Sequence, residues 1–340
     1  MKSYVFKQAG YKVTEDGRVD IDDSCANVLF IGGVHGNELG TIRLAYDLIR
    51  EFENYKQYHY KDIGIIAVIP CVNESGMRNN TREVSENYAD LNRGWCDNPR
   101  NDLPTEIDRI EKEYCIKFHI IVDMHCSPNV APMFLLNRDQ TYVNDIVDAI
   151  NTVEEERISS TSNVYYCVRD TRINTLKRQM SNNNRIILTY EQSGYETSDP
   201  HLNMHQLYYF VNTFIPYLVP KLRSIINHGS KFQETTFNRD YLCRHIICNT
   251  EGILRIAETD DDNYNGVGSI ISNWNTIAEV LDVETNEVIE KIRWEYDPSY
   301  SFPKFNNARI VELETSYPYE KYVTPGNIIA MVQPLIPVKR

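Results

Sequence analysis

The sequence predicts an α/β fold, a mixed and largely parallel sheet with helices on both faces, followed by a C-terminal β-rich domain. Three observations predict it. An apolar run, Asn27–Val34 (NVLFIGGV), is followed by a helical pattern and then by a second apolar run, Ile63–Pro70 (IGIIAVIP). A strand, a helix and a strand in that order imply a parallel pair joined by a right-handed crossover. After about His228 the helical period gives way to short alternating segments separated by Gly, Asn, Asp and Pro turns, the signature of β structure. The boundaries that follow are 1–230 for a catalytic domain and 231–340 for the β-rich domain.

The elements follow in order. Leu39, Ile42, Leu44, Leu48, Ile49 and Phe52 recur every three to four residues, as on one face of a helix. Phe118–Met124 (FHIIVDM) is a third strand, and Met133–Leu136 and Arg185–Tyr190 are two more. Tyr142–Arg157 and His201–Leu222 are helical in pattern. Asn73–Pro104, between the second and third strands, is polar and lacks an apolar period; an ordered loop of that length inside a domain is usually functional. In the last third, Ile253–Ala257, Ile277–Val283, Val288–Trp294 and Ile310–Leu313 alternate as strands do, and 323–330 is a turn followed by a strand.

Composition narrows the function. The chain has 340 residues, 42% of them hydrophobic, enough to bury a large core. A net charge of −13 argues against a nucleic-acid surface, yet a local Arg cluster can still bind a small carboxylate. The start, MKSYVFKQAGYKV, has no apolar signal segment, and no run approaches the ~18 apolar residues of a membrane span. The eight Cys form no CxxC pair. The expectation is a cytoplasmic protein with reduced thiols and no membrane partner.

The chemistry-bearing residues fall at strand ends, where open α/β sheets place their ligands. His35 and Glu38 lie where the first strand meets its helix, and His125 ends the third. Two histidines and a carboxylate, with one position left open, are the donor set of a catalytic zinc site. Asp123 is two residues before His125, on the same strand face, and is placed to orient the site. A lone HxxE is a weak signal; its pairing with a strand-end histidine strengthens it. His201 and His205 offer a rival HxxxH pair but lack the Glu of HExxH. Glu191 follows the strand RIILTY, where a carboxylate could take a proton from the hydrolytic water and return it to the leaving amine. Asp90-Leu91-Asn92-Arg93 lies in the polar loop, with Arg78 and Arg82 upstream. An Arg fork suits a substrate carboxylate, and a second Arg suits a carbonyl oxyanion.

The ordered set GGVHGNE, NESGMRNNTRE, DLNR, VDMHCSP and TYEQSG resembles the zinc carboxypeptidase superfamily. The 87-residue spacing from Glu38 to His125 (125 − 38) is similar to that of the succinylglutamate desuccinylase/aspartoacylase family. The resemblance implies one zinc per chain on His35, Glu38 and His125, and Glu191 as general base and acid. It implies Asn92 and Arg93 for a substrate carboxylate, Arg82, with Arg78 as fallback, for polarising the carbonyl, and Arg178 as a further carboxylate contact. It also implies that the C-terminal β-rich domain restricts the site to small, carboxylate-bearing N-acyl amino acids. Two departures touch the substrate pocket and leave the acyl group open: Glu191 is followed by Gln192-Ser193-Gly194 rather than x-Gly, and His125 by Cys126-Ser127-Pro128-Asn129. The expected activity is zinc-dependent deacylation. A metallocarboxypeptidase acting on a peptide or cell-wall fragment and a non-catalytic, metal-retaining binding protein are the alternatives. A homo-oligomer stays open.

Overall fold

The computed structural model describes residues 1–16, 18–22, 24–54, 60–84, 89–93, 102–127, 130, 132–137, 140–156, 165–169, 185–193, 200–229, 244–257, 269–272, 275–294, 307–314 and 319–334. A seven-stranded sheet forms its centre. The strands are β1 (Tyr4–Lys7), β4 (Ala26–Ile31), β5 (Ile63–Ile69), β6 (Ile120–Ser127), β7 (Met133–Asn137), β8 (Tyr165–Arg169) and β9 (Ile186–Ser193), in the spatial order β1-β5-β4-β6-β9-β7-β8. The pairs β5–β4, β4–β6, β6–β9 and β7–β8 are parallel, while β1–β5 and β9–β7 are antiparallel. Between β1 and β4 lies a small hairpin, β2 (Tyr11–Val13) with β3 (Val19–Ile21).

β4 and β5 are buried at every residue, which is why their sequences are unbroken apolar runs rather than alternating ones. Helices cover both faces. α1 (Leu39–Asn54) and α4 (Val143–Glu156) pack Leu44, Leu48, Ile146 and Ile150 against one face. The other face receives Leu103, Ile107 and Ile110 of α3 (Leu103–Glu113). A short helix, α2 (Glu74–Asn79), is capped by the Asn73 side chain, which accepts from Gly76 N–H. The polar stretch Asn73–Pro104 is therefore not loop throughout: α2 opens it and the first residues of α3 close it. The expected long helix over 201–222 is instead α5 (Pro200–Tyr209), a π-helical stretch Phe210–Leu218 holding Pro216, and α6 (Val219–His228).

The aromatic residues of that helical run brace the strand that carries Glu191. Tyr190 points to the opposite face from Glu191 and packs on Phe210 at a ring separation of 4.9 Å. Phe210 in turn stacks edge-on against Phe30 of β4 at 5.2 Å.

The C-terminal strands form two four-stranded sheets. One runs β10 (Arg244–Ile247), β17 (Ile328–Pro334), β15 (Asn307–Leu313), β12 (Ile270–Ser272). The other runs β14 (Val288–Arg293), β13 (Thr276–Leu281), β11 (Gly252–Ile256), β16 (Lys321–Val323). Their shared core includes Leu254, Ile277, Ile310, Ile329 and Trp294. A backbone bridge from Val130 to Glu312 and a small apolar cluster of Val130, Met133 and Met331 tie the first of these sheets to the segment after β6.

Among the described residues no helix is long and apolar enough to cross a membrane. The described cysteines Cys25, Cys71, Cys115, Cys126 and Cys248 are free thiols.

Candidate metal centre

β4 ends at Ile31, and the chain turns through Gly32 and Gly33 before α1. Gly33 has φ +61°, a conformation that costs glycine little. The turn presents His35 and Glu38, only 2% exposed, at the rim of the sheet. The neighbouring loop presses against it: a Cβ on Gly36 would lie 2.2 Å from the Gly76 carbonyl carbon, so only glycine fits there. The Arg82 carbonyl accepts from Gly36 N–H at 3.2 Å and from Asn73 Nδ2 at 3.2 Å, fastening the polar loop to the turn.

His125 meets this pair from β6. That strand runs two residues past His125, so the histidine sits within the ladder rather than after it. His35 Nδ1 is 2.6 Å from Glu38 Oε1, His125 Nδ1 is 3.1 Å from Glu38 Oε2, and the two Nδ1 atoms are 3.2 Å apart. Donors on a tetrahedral ion with bonds of ~2.1 Å are about 3.4 Å apart, so the spacing suits a zinc-sized cation. Among the described residues, His35, Glu38 and His125 are the group that could hold a metal ion.

The remaining edge of each histidine faces a carboxylate, the usual means of fixing a ligand's tautomer and ring orientation. His35 Nε2 lies 3.2 Å from Asp90 Oδ1, and His125 Nε2 lies 3.1 Å from Asp123 Oδ2. Burial disfavours the charged form of His125, yet Asp123 and Glu38 on its two sides hold its pKa well above the usual value. Burial likewise opposes ionisation of Glu38, but the charge and hydrogen bonds of His125 and His35 bring its pKa down to about 2. Two buried imidazoles and a carboxylate whose donor atoms converge, with a further carboxylate behind each ring, are the donor chemistry of a zinc site. The residues present therefore fit a metal.

Glu191 stands one strand away. The parallel ladder of β6 and β9 pairs His125 with Glu191, and in-register residues of neighbouring strands project to the same face. Glu191 lies inside β9, which continues to Ser193, and Ser127 Oγ donates to its Oε2 at 2.9 Å.

The polar loop brings Arg82 and Asn92 in and leaves Arg78 out. Arg82 Nη1 is 3.7 Å from Glu38 Oε1 and its Nη2 is 3.4 Å from Asp90 Oδ2. Asn92 Nδ2 is 3.4 Å from His125 Nε2. Arg78 instead pairs with Glu74 on α2, its side chain 73% exposed. Arg93 is exposed, with Nη1 donating to the Asn92 carbonyl at 3.2 Å. Arg178 lies outside the described residues. In the rival pair, His205 is exposed.

Asp90 is the residue whose importance sequence reasoning passed over. Its Oδ1 serves both His35 Nε2 and, at 2.8 Å, the backbone N–H of Asn92, while Oδ2 faces Arg82. Burial opposes its ionisation, but His35, the Asn92 N–H and Arg82 hold its carboxyl well below the usual carboxylate range. The available signal was the Asp-x-Asn turn, an aspartate bonding the backbone two residues on.

Residues 24–151 match the catalytic-domain family described as succinylglutamate desuccinylase/aspartoacylase. No curated protein matches the chain. Several solved structures share its fold. A succinylglutamate desuccinylase/aspartoacylase from Rhodobacter sphaeroides aligns with a TM-score of 0.56 at 15% identity, over 98% of this chain and 96% of that one. An aspartoacylase family protein from Mesorhizobium loti gives 0.54 at 13% identity, over 98% and 95%. The product-bound ectoine utilization protein EutE (DoeB) from Ruegeria pomeroyi gives 0.51 at 12% identity, over 97% and 94%. Residues 24–151 thus match the catalytic-domain model of the succinylglutamate desuccinylase/aspartoacylase family, and the chain shares the fold of solved proteins described as of that family.

Proposed function

We propose that the chain is a zinc-dependent hydrolase that cleaves the amide bond of a small, carboxylate-bearing N-acyl amino acid. The carrying observation is the buried His35–Glu38–His125 group with Glu191 in register beside it. When bound there, zinc would supply Lewis acidity and lower the pKa of water to ~7. Glu191 takes a proton from the attacking water as its oxygen bonds to the carbonyl carbon. The same carboxyl then gives the proton to the amine nitrogen as the C–N bond breaks, releasing an acid and an amino acid. Arg82 receives the carbonyl oxyanion, a role supported by its Nη1 lying 3.7 Å from Glu38 Oε1. Asn92 and Arg93 take the substrate carboxylate, with Arg93 turning inward from its exposed position to do so.

The C-terminal β-rich domain, 231–340, restricts the site to small substrates; its attachment at Val130 and Met133, one strand from Glu191, supports that reading. The likeness to a product-bound ectoine utilization protein is consistent with a small-molecule substrate.

The test is a panel of N-acyl amino acids with zinc supplied and released amine as the readout. At least one member should be hydrolysed. Glu191→Gln should lower kcat by at least ~10²-fold, within the usual range for acid–base groups, and keep its metal. An inert panel, or shortened peptides as the products instead, would overturn the substrate class. Unchanged turnover in the variant would move the base elsewhere.

A further inference from the structure

We propose that Asn73 is the positioning residue for Arg82, holding its guanidinium beside Glu38 where the carbonyl oxyanion forms. This rests on the reading of Arg82 as the cation that receives that oxyanion. Asn73 follows β5 and is buried. Its side-chain amide has two arms of opposite chemistry, an acceptor oxygen and a donor nitrogen. Oδ1 accepts the Gly76 N–H at 2.8 Å and caps α2. The other arm is therefore the nitrogen, and Nδ2 donates to the Arg82 carbonyl at 3.2 Å. The Asn73 backbone N–H donates to the Gly33 carbonyl at 2.8 Å, within the turn that presents His35 and Glu38.

One residue thus joins the turn that carries the metal group, the start of α2 and the backbone of Arg82. The path from α2 back to Arg82 is short. The helix ends at Asn80, in the left-handed region at φ 51°, and the Thr81 N–H closes onto the Gly76 carbonyl at 2.9 Å. The amide of Asn73 is packed in place: a Cβ on Gly76 would lie 2.4 Å from its Nδ2. The Arg82 carbonyl takes a second donor, the N–H of Gly36, from the residue after His35. Two bonds therefore locate the Arg82 backbone relative to the metal group, and one of them comes from a side chain that substitution can remove. At the far end of Arg82, Nη1 is 3.7 Å from Glu38 Oε1 and Nη2 is 3.4 Å from Asp90 Oδ2. A cation in this role acts only at the point where charge develops. A displacement of about 1 Å can cost as much as ~10²-fold in rate.

The experiment separates the two arms. Asn73→Ser keeps a good helix cap and removes the donor to Arg82. Asn73→Asp keeps the size and the cap and also removes the donor, so it should behave alike. On the N-acyl amino acid of the panel that wild type hydrolyses fastest, kcat should fall about tenfold in both, with KM and zinc content unchanged. That is the pattern of an interaction made only in the transition state. The same substitutions are then made in Arg82→Ala, where a residue acting through Arg82 has nothing left to lose and kcat should fall no further. A purely structural role predicts the same tenfold loss in both backgrounds, and that result, or an undiminished kcat in Asn73→Ser and Asn73→Asp, overturns the proposal. Crystal structures supply a readout independent of turnover: the Arg82 guanidinium should leave Glu38 in the two variants with the fold intact, and one that stays in place also overturns the proposal. Full turnover in Arg82→Ala, or a wild type that hydrolyses no N-acyl amino acid, fails the functional reading instead, and the crystal structures still decide whether Asn73 places Arg82.

Discussion

Removing Asp90 should weaken metal binding even though Asp90 does not belong to the His-Glu-His group. In Asp90→Ala, His35 loses the carboxylate 3.2 Å from its Nε2, and the Asn92 N–H loses its 2.8 Å acceptor. Loss of such a partner to a ligand histidine typically costs 10–100-fold in metal affinity, about 1.4–2.7 kcal/mol. A second effect adds to the first. Arg82 is shared between Asp90 at 3.4 Å and Glu38 at 3.7 Å. Without Asp90 its guanidinium settles on Glu38 and brings a positive charge against the metal. The expected loss is therefore at the upper end of the range. The assay is competition for zinc between the metal-free protein and a chromophoric chelator. Arg78→Ala is the control, because that guanidinium pairs with Glu74 at 3.4 Å and is largely exposed. Undiminished zinc affinity in Asp90→Ala, or an equal loss in Arg78→Ala, would refute the reasoning.

Two further outcomes are expected. Arg93→Ala should reduce kcat/KM by about 30-fold or more on a substrate with a free α-carboxylate, from roughly 2 kcal/mol for stranding a paired charge, and should matter little for the matching carboxamide; equal losses on both would make Arg93 a loop residue only. His119 gives a stability signal far from the site: burial, then the charges of Arg223 and Arg185, lower its pKa from 6.5 to about 3, and its Nδ1 accepts the Asn27 N–H at 3.0 Å. The folded chain thus keeps His119 neutral where the unfolded chain binds a proton, so its contribution is complete above pH 6.5 and is lost as pH falls from there through about 3. Urea midpoints measured at neutral pH and about pH 4.5 should fall further in wild type than in His119→Asn, and identical drops would remove His119 as a cause.

The long apolar runs made β4, β5 and β6 legible, because buried parallel strands need no alternation and leave an unbroken signal. α1 showed itself through its single apolar stripe. α3 did not, because Leu103, Ile107 and Ile110 are its few core residues among charged neighbours. β1 is a four-residue edge strand with a mixed pattern, too short to stand out. The three metal-group residues were readable because His35 and Glu38 follow one apolar run and His125 follows another, although β6 itself continues two residues past His125. The partnership of Glu191 with His125 was readable only as two strand ends; the sheet order that makes the strands neighbours, with β9 beside β6 and antiparallel to β7, comes from pairing across more than fifty intervening residues. The role of Asp90, quoted only as part of DLNR, was not legible for the same reason, since it acts by reaching a side chain distant in sequence.

The two halves of the site are built from different materials. His125 and Glu191 stand on strands laddered to both neighbours, whereas Arg82, Asp90, Asn92 and Arg93 hang from the connection between β5 and α3. Local opening of a central strand requires much of the sheet to come apart, while a connection of this kind rearranges at small cost. Inherited changes therefore fall unevenly. On the proposed function, drift in the connection would redirect which acyl amino acid is held without disturbing the residues that handle the proton. A change on the strands touches both the reaction and the stability of the sheet. A lineage built on this frame can exchange its substrate many times while keeping one way of breaking the bond.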